Sequence, residues 1–132
     1  MNKSDIDNRK DIEKLINTFY TKVKKDAVIG HFFTEVVAIS WEHHMPTMYD
    51  FWESVLFGTA KYRGNPIMKH IELDRKSDLT EVHFAQWKKL FFETVDDLFE
   101  GQRAKLAKER VTMMEQLMLF KIKASREDGF VQ

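Results

Sequence analysis

The sequence contains no cysteine. Disulfides, thiolate metal sites and a cysteine nucleophile are thereby excluded. Only two prolines and five glycines punctuate 132 residues, and no stretch alternates Val, Ile or Thr with polar residues as a half-buried strand would. Charge of one sign is not in excess, since 21 Lys and Arg face 21 Asp and Glu. No basic patch of the kind nucleic-acid binding requires stands out, so no nucleic-acid partner is expected. No apolar run approaches the roughly 20 residues of a membrane span. The opening MNKSDIDNRK is polar and lacks the apolar core of a secretory signal. The expectation is a cytoplasmic protein with no membrane partner.

What is present is a heavy aromatic load: 11 Phe, 3 Tyr and 3 Trp. Such a load suits a pocket that packs bulky apolar surface, and equally a Phe-rich core. The length predicts one domain over 1–132, ordered over about 10–123 with frayed ends.

Spacing predicts an all-α chain. Ile12, Leu15, Ile16, Phe19, Tyr20 and Val23 draw one stripe on a helix from Lys10 to Lys25. Phe32 and Phe33 follow Gly30 in a connector. A second helix covers Trp41 to Phe57, with Ser40 as candidate cap, Pro46 near its start and Gly58 at its end. His44, Met48, Phe51, Trp52 and Val55 share its inner face. Gly58, Gly64 and Pro66 then leave room for at most a short helical turn, Pro66 to Ile71, which carries His70. Asp78-Leu-Thr-Glu81 resembles a capping box before a third main helix that buries Phe84, Trp87, Phe91 and Val95. A fourth runs from Gln102 to Lys123, and Met113, Met114 and Met118 are expected in its core face. These elements fit a four-helix bundle or a globin; the long irregular segment around His70 is atypical of a simple bundle.

Metal motifs are few. His-Glu-x-x-His and Glu-x-x-His do not occur, and His43 and His44 point about 100° apart on a helix. Tyr20, His44 and Trp87 instead put three hydrogen-bond donors on the apolar faces of three helices, more than a plain core needs. His31 and His43 are expected in solvent, and His83 at the surface or a pocket edge.

Five short motifs fall in a telling order: FY at 19–20, W-x-x-H at 41–44, YDFWE at 49–53, Y-x-G-x-P-x-x-x-H at 62–70 and HFAQW at 83–87. With TVDDLFEGQRAKLAKER after them, they resemble the group III truncated haemoglobins over about residues 10–120. No two glycines are adjacent, unlike the Gly-Gly pairs usual in groups I and II.

The resemblance implies a shortened globin, a two-over-two helical sandwich around haem. It implies His70 as proximal iron ligand, and Tyr20, His44 and Trp87 around the bound ligand on the distal side. It places Phe33 against the porphyrin and Met48 in the pocket, with Phe51, Trp52 and Tyr62 lining or edging the haem. The cofactor expected is haem b, because thioether attachment needs cysteine. O2, NO or similar ligands are the expected partners. NO dioxygenation or peroxide chemistry would require a further electron donor. The alternatives are a gas-sensing module without turnover and a haem-free helical interaction module.

Overall fold

The computed structural model describes residues 3–128, and these contain helices and no strand. The first helix, α1 (Arg9–Lys25), buries the six-residue stripe expected of it. Asn8 caps it by accepting from the Asp11 backbone N–H. The Asp26 carboxylate then accepts from the Val28 and Ile29 N–H groups and from Gln86 Nε2, which ties the end of α1 to the fourth helix. Phe32–Val36 winds as a π-helix where the sequence suggested a plain connector. Such wide turns are rare and often sit at functional sites.

Helix α2 spans Trp41–Phe57. Ser40 occupies the cap position, but its side chain makes no capping bond. The helix passes through Pro46 although that residue offers no N–H to the preceding turn. It ends at Gly58, whose φ of 69° is the left-handed cap that favours glycine.

Helix α3 (Pro66–Lys76) is a full 11 residues, not a single turn. Its start is set by Pro66 in the first turn and by Asn65, which accepts from the Met68 N–H. Its second half is held by tertiary contacts. The Asp74 carboxylate accepts from the Leu79 N–H and from both Nε and Nη2 of Arg126.

Helix α4 (Glu81–Leu98) begins three residues after the expected Asp78. The capping box is Thr80 with His83, not Asp78 with Glu81: the Thr80 N–H donates to His83 Nδ1 at 3.0 Å. Helix α5 (Gln102–Asp128) continues past Lys123, so only residues 129–132 of the expected tail lie outside the described residues. Its first turn is capped from afar, with the Asp5 carboxylate accepting from the Arg103 and Ala104 N–H groups. A Cβ at Gly101, where φ is 147°, would stand 2.5 Å from Asp5 Cγ, so this approach requires glycine.

The pair α1–α2 packs on the pair α4–α5, through α1 on α4 and α2 on α5; α3 lies against α5. Phe19, Trp52 and Phe91 meet where the two pairs join. An ionic clasp closes one side: Arg9 on α1 donates to Asp50 and Glu53 on α2, and Lys61 reaches Glu53 from the segment beyond.

Candidate functional site

Helices α1 and α2 bring Tyr20 and His44 together. Their rings meet edge-on with centroids 5.2 Å apart. The same spacing of four and three residues that buries Phe19 and Tyr20 on α1 turns His44 on α2 toward them. Phe33, from the π-helical segment, packs on Tyr20 at 5.7 Å. Trp41, one turn before His44, touches His44, Tyr20 and Phe33. Lys24 lies 4.0 Å over the Trp41 indole.

The polar tips in this cluster are poorly matched. His44 Nε2 is buried and has no hydrogen-bond partner among the described residues. A buried imidazole nitrogen without a partner costs stability, and such atoms in native proteins call for a reason. Burial pushes the His44 pKa down, so the ring is held neutral. Tyr20 is 5% exposed, and burial raises its pKa, which keeps the phenol protonated as a donor. Among the described residues its hydroxyl makes no hydrogen bond.

Trp87 does not touch Tyr20 directly. It meets Phe19 at 5.0 Å, and Phe19 meets Tyr20 at 5.1 Å. The indole stacks on Phe91, one turn along α4, with planes only 3° apart.

His70 stands on α3. Its Nδ1 lies 2.6 Å from the Pro66 carbonyl. A carbonyl can only accept, so Nδ1 carries the proton and Nε2 keeps its lone pair. Imidazole ligands of metals commonly have this arrangement, with one nitrogen steered by a backbone carbonyl and the other free. Burial lowers the His70 pKa, partly offset by the Pro66 bond, and a neutral ring is the form that can ligate. Phe84 on α4 lies 6.0 Å from His70 between ring centroids, three residues before Trp87. Helix α4 therefore links the neighbourhood of His70 to that of Tyr20.

Apolar side chains near these groups are only half covered. Met48, Phe51 and Val55 follow His44 along α2; Ile67 and Met68 precede His70 on α3. Phe51 packs edge-on against Tyr62 at 5.1 Å. Trp52 differs: it is 3% exposed and stacks on Phe91 in the core, at 4.9 Å.

Sequence reasoning put Trp41 in a motif and Phe84 on a buried helix face but gave neither a place at the site, although both lie in phase with expected site residues. His83 goes to the α4 cap and packs on Phe32 at 4.9 Å. His31, expected in solvent, is half-buried beside it, and His43 is exposed. Of the methionine stripe, Met118 is buried but Met113 is 64% exposed, which corrects its placement in the core. Three features together fit a flat iron-bearing macrocycle: an imidazole with an available Nε2, half-covered apolar stripes on α2 and α3, and a buried imidazole nitrogen lacking a partner among the described residues.

The model of the family described as Bacterial-like globin matches residues 5–121. Group 3 truncated hemoglobin ctb of Campylobacter jejuni is 31% identical over 120 residues, covering 86% of this chain and 92% of that protein. The crystal structure of the group III truncated hemoglobin from Campylobacter jejuni superposes with a TM-score of 0.79. It does so at 27% identity, covering 91% of this chain and 94% of that one. The helical architecture is therefore that of a truncated globin.

Proposed function

Because this chain belongs to the bacterial-like globin family, among the group 3 truncated haemoglobins, we propose that it holds haem b through His70. We propose further that it retains an O2- or NO-type ligand among Tyr20, His44 and Trp87. Haem-based binding of small ligands comes with membership of the family; the residues and the reaction are our reading. The observation that carries it is the edge-on pairing of buried Tyr20 with His44, whose buried Nε2 has no hydrogen-bond partner among the described residues.

Bound haem b supplies an iron that takes up a small ligand and exchanges electrons with it. Each residue has a separate task. His70, fixed by the Pro66 carbonyl, offers Nε2 as the ligating atom. The Tyr20 phenol is a donor, and the neutral His44 ring can donate or accept. Phe33, Trp41 and Phe19 keep water from these groups, which strengthens any hydrogen bond made there. Met48, Phe51 and Tyr62 supply apolar edge. Trp52 supports the site from the core through Phe91.

Donors around a ligand that carries negative charge slow its release, which suits chemistry on the ligand better than its bulk transport. The finer proposal is NO dioxygenation, in which NO, O2 and one electron give nitrate; peroxide chemistry at the same donors is the related possibility. Either needs an electron donor of another protein or a small reductant. The test is NO consumption by the oxygenated protein with a reductase present. Stoichiometric nitrate over repeated turnovers supports the proposal. Ligand binding without turnover favours a gas-sensing module, and failure to take up haem favours a haem-free interaction module.

A further inference from the structure

Helix α5 is apolar on two opposite sides. Ala104, Ala107, Val111, Met118 and Ile122 face the core. Met113, Leu117 and Phe120, at helical spacings of four and three, lie on the far side and are 64%, 47% and 67% exposed. Val82, 65% exposed at the start of α4, lines the same groove as Phe120 and widens the patch. Scattered exposed apolar residues are ordinary, but a contiguous stripe with polar flanks marks a contact surface.

The flanking charges say which partner fits. Lys105, Glu109, Lys123 and Glu127 are all exposed, and among the described residues none of the four is in an ion pair. At 100° per residue they lie along one flank of the stripe, together with Gln116. Turn a second α5 antiparallel about a twofold axis at Gln116, and each residue i on that flank faces residue 232 − i. Glu109 then meets Lys123, Lys105 meets Glu127, and Gln116 meets its own copy; Met113 lies over Phe120 on the stripe. The flank of Lys105, Glu109, Lys123 and Glu127 is thus complementary to its own copy in the antiparallel orientation.

We propose that two copies of this chain pair through the outward face of α5, antiparallel about a twofold axis at Gln116. A twofold contact uses the same patch on both partners, as this one does. The paired length from Lys105 to Glu127 is about 33 Å at 1.5 Å per residue. Two helices of that length, with Val82 beside them, reach the lower end of specific interfaces, on the order of 1,200 Å² in total. The dimer is therefore weak and concentration-dependent. The exposed ion pairs set its orientation, and the apolar stripe supplies its affinity.

Sedimentation velocity of the full-length protein tests this, over a range of roughly 10 to 500 μM, where weak interfaces of this size associate. The expected result is a reversible monomer–dimer equilibrium. Phe120→Glu weakens it by about a hundredfold, since it buries two unpaired carboxylates at the contact. Phe120, Glu109 and Lys123 are all exposed, so circular dichroism and the melting temperature of the variants at these three positions remain those of the parent. Glu109→Lys weakens the dimer, and Glu109→Lys with Lys123→Glu restores it. These positions are about 21 Å apart along one helix, so recovery reports contact between copies and not within one. A monomer at the highest concentration overturns the proposal and leaves the stripe to another partner. A dimer indifferent to Phe120→Glu, or one that the double exchange fails to restore, overturns it equally.

Discussion

The His44 imidazole meets the Tyr20 ring edge-on at 5.2 Å, and the buried Nε2 of His44 hydrogen-bonds to nothing among the described residues. Two helices thus present two adjacent polar tips that the fold itself does not use. A globin fold gives such tips a purpose, because a ligand held between them can complete their hydrogen bonds.

Tyr20→Phe deletes one hydroxyl and keeps the ring contacts with Phe19, Phe33 and Trp41. Haem uptake and melting temperature should change little. O2 release should accelerate by roughly tenfold or more, since a hydrogen bond to a charged acceptor is worth about 1.5–3 kcal/mol. CO carries less charge, and its release should change less. Because His44 can shift to replace the lost bond, Tyr20→Phe is paired with His44→Leu in a double variant. Stopped-flow O2 release that is unchanged in both would show that these residues are core and not a ligand cage.

Burial lowers the His44 pKa from its ordinary 6.5. Below about pH 6.5 the unfolded chain therefore binds a proton that the native chain does not. Stability contributed by the neutral ring is complete above that pH and falls as pH drops toward the folded value, by at most about 1.4 kcal/mol per pH unit for one group. Urea denaturation of the haem-free protein at pH 5.0 and 7.5 should show this acid loss. His44→Leu should reduce the difference between the two pH values. An unaltered pH dependence in the variant would mean that His44 is not buried as described.

The α3 helix depends on Arg126, whose Nε lies 3.0 Å from Asp74 Oδ2 and which also donates to the Leu79 carbonyl. Arg126→Met should destabilise the fold by about 1–2 kcal/mol at pH 7, below the full value of a charged bond because the Arg126 side chain is 44% exposed. Burial works against the Asp74 charge, but Arg126 and the Leu79 N–H bring its pKa below 3.8. Its stabilisation is present above that value and is lost as pH falls through the folded one. The deficit of the variant should therefore shrink near pH 3. Equal deficits at pH 7 and pH 3, by thermal denaturation, would place the stabilising contact elsewhere.

Legibility in the sequence followed the range of the forces involved. The α1 stripe is set by local periodicity, and every predicted member is buried. The length of α3 was not legible, because Asp74 is held by a residue 52 positions away. The α4 cap was misplaced because a histidine stands where Glu or Gln usually completes the box. Spacing assigns Met113 to the core because α5 is apolar on both sides, and spacing alone cannot say which side faces inward. The order of short motifs, more than any one residue, pointed to the site. The link from His44 through Trp41 to Lys24 needed the fold.

His70 carries the central claim, and the optical spectrum of the protein with and without it is the most direct measurement. Haem titrated into the parent should give a single Soret band that saturates at one haem per chain, with distinct ferric, ferrous and CO-bound forms. His70→Ala, with its helical circular dichroism retained, should lose most of that binding, and added imidazole should restore the ferrous spectrum by occupying the place of the missing ring. A His70→Ala protein that binds haem at the same stoichiometry with the same ferrous spectrum would contradict ligation by His70.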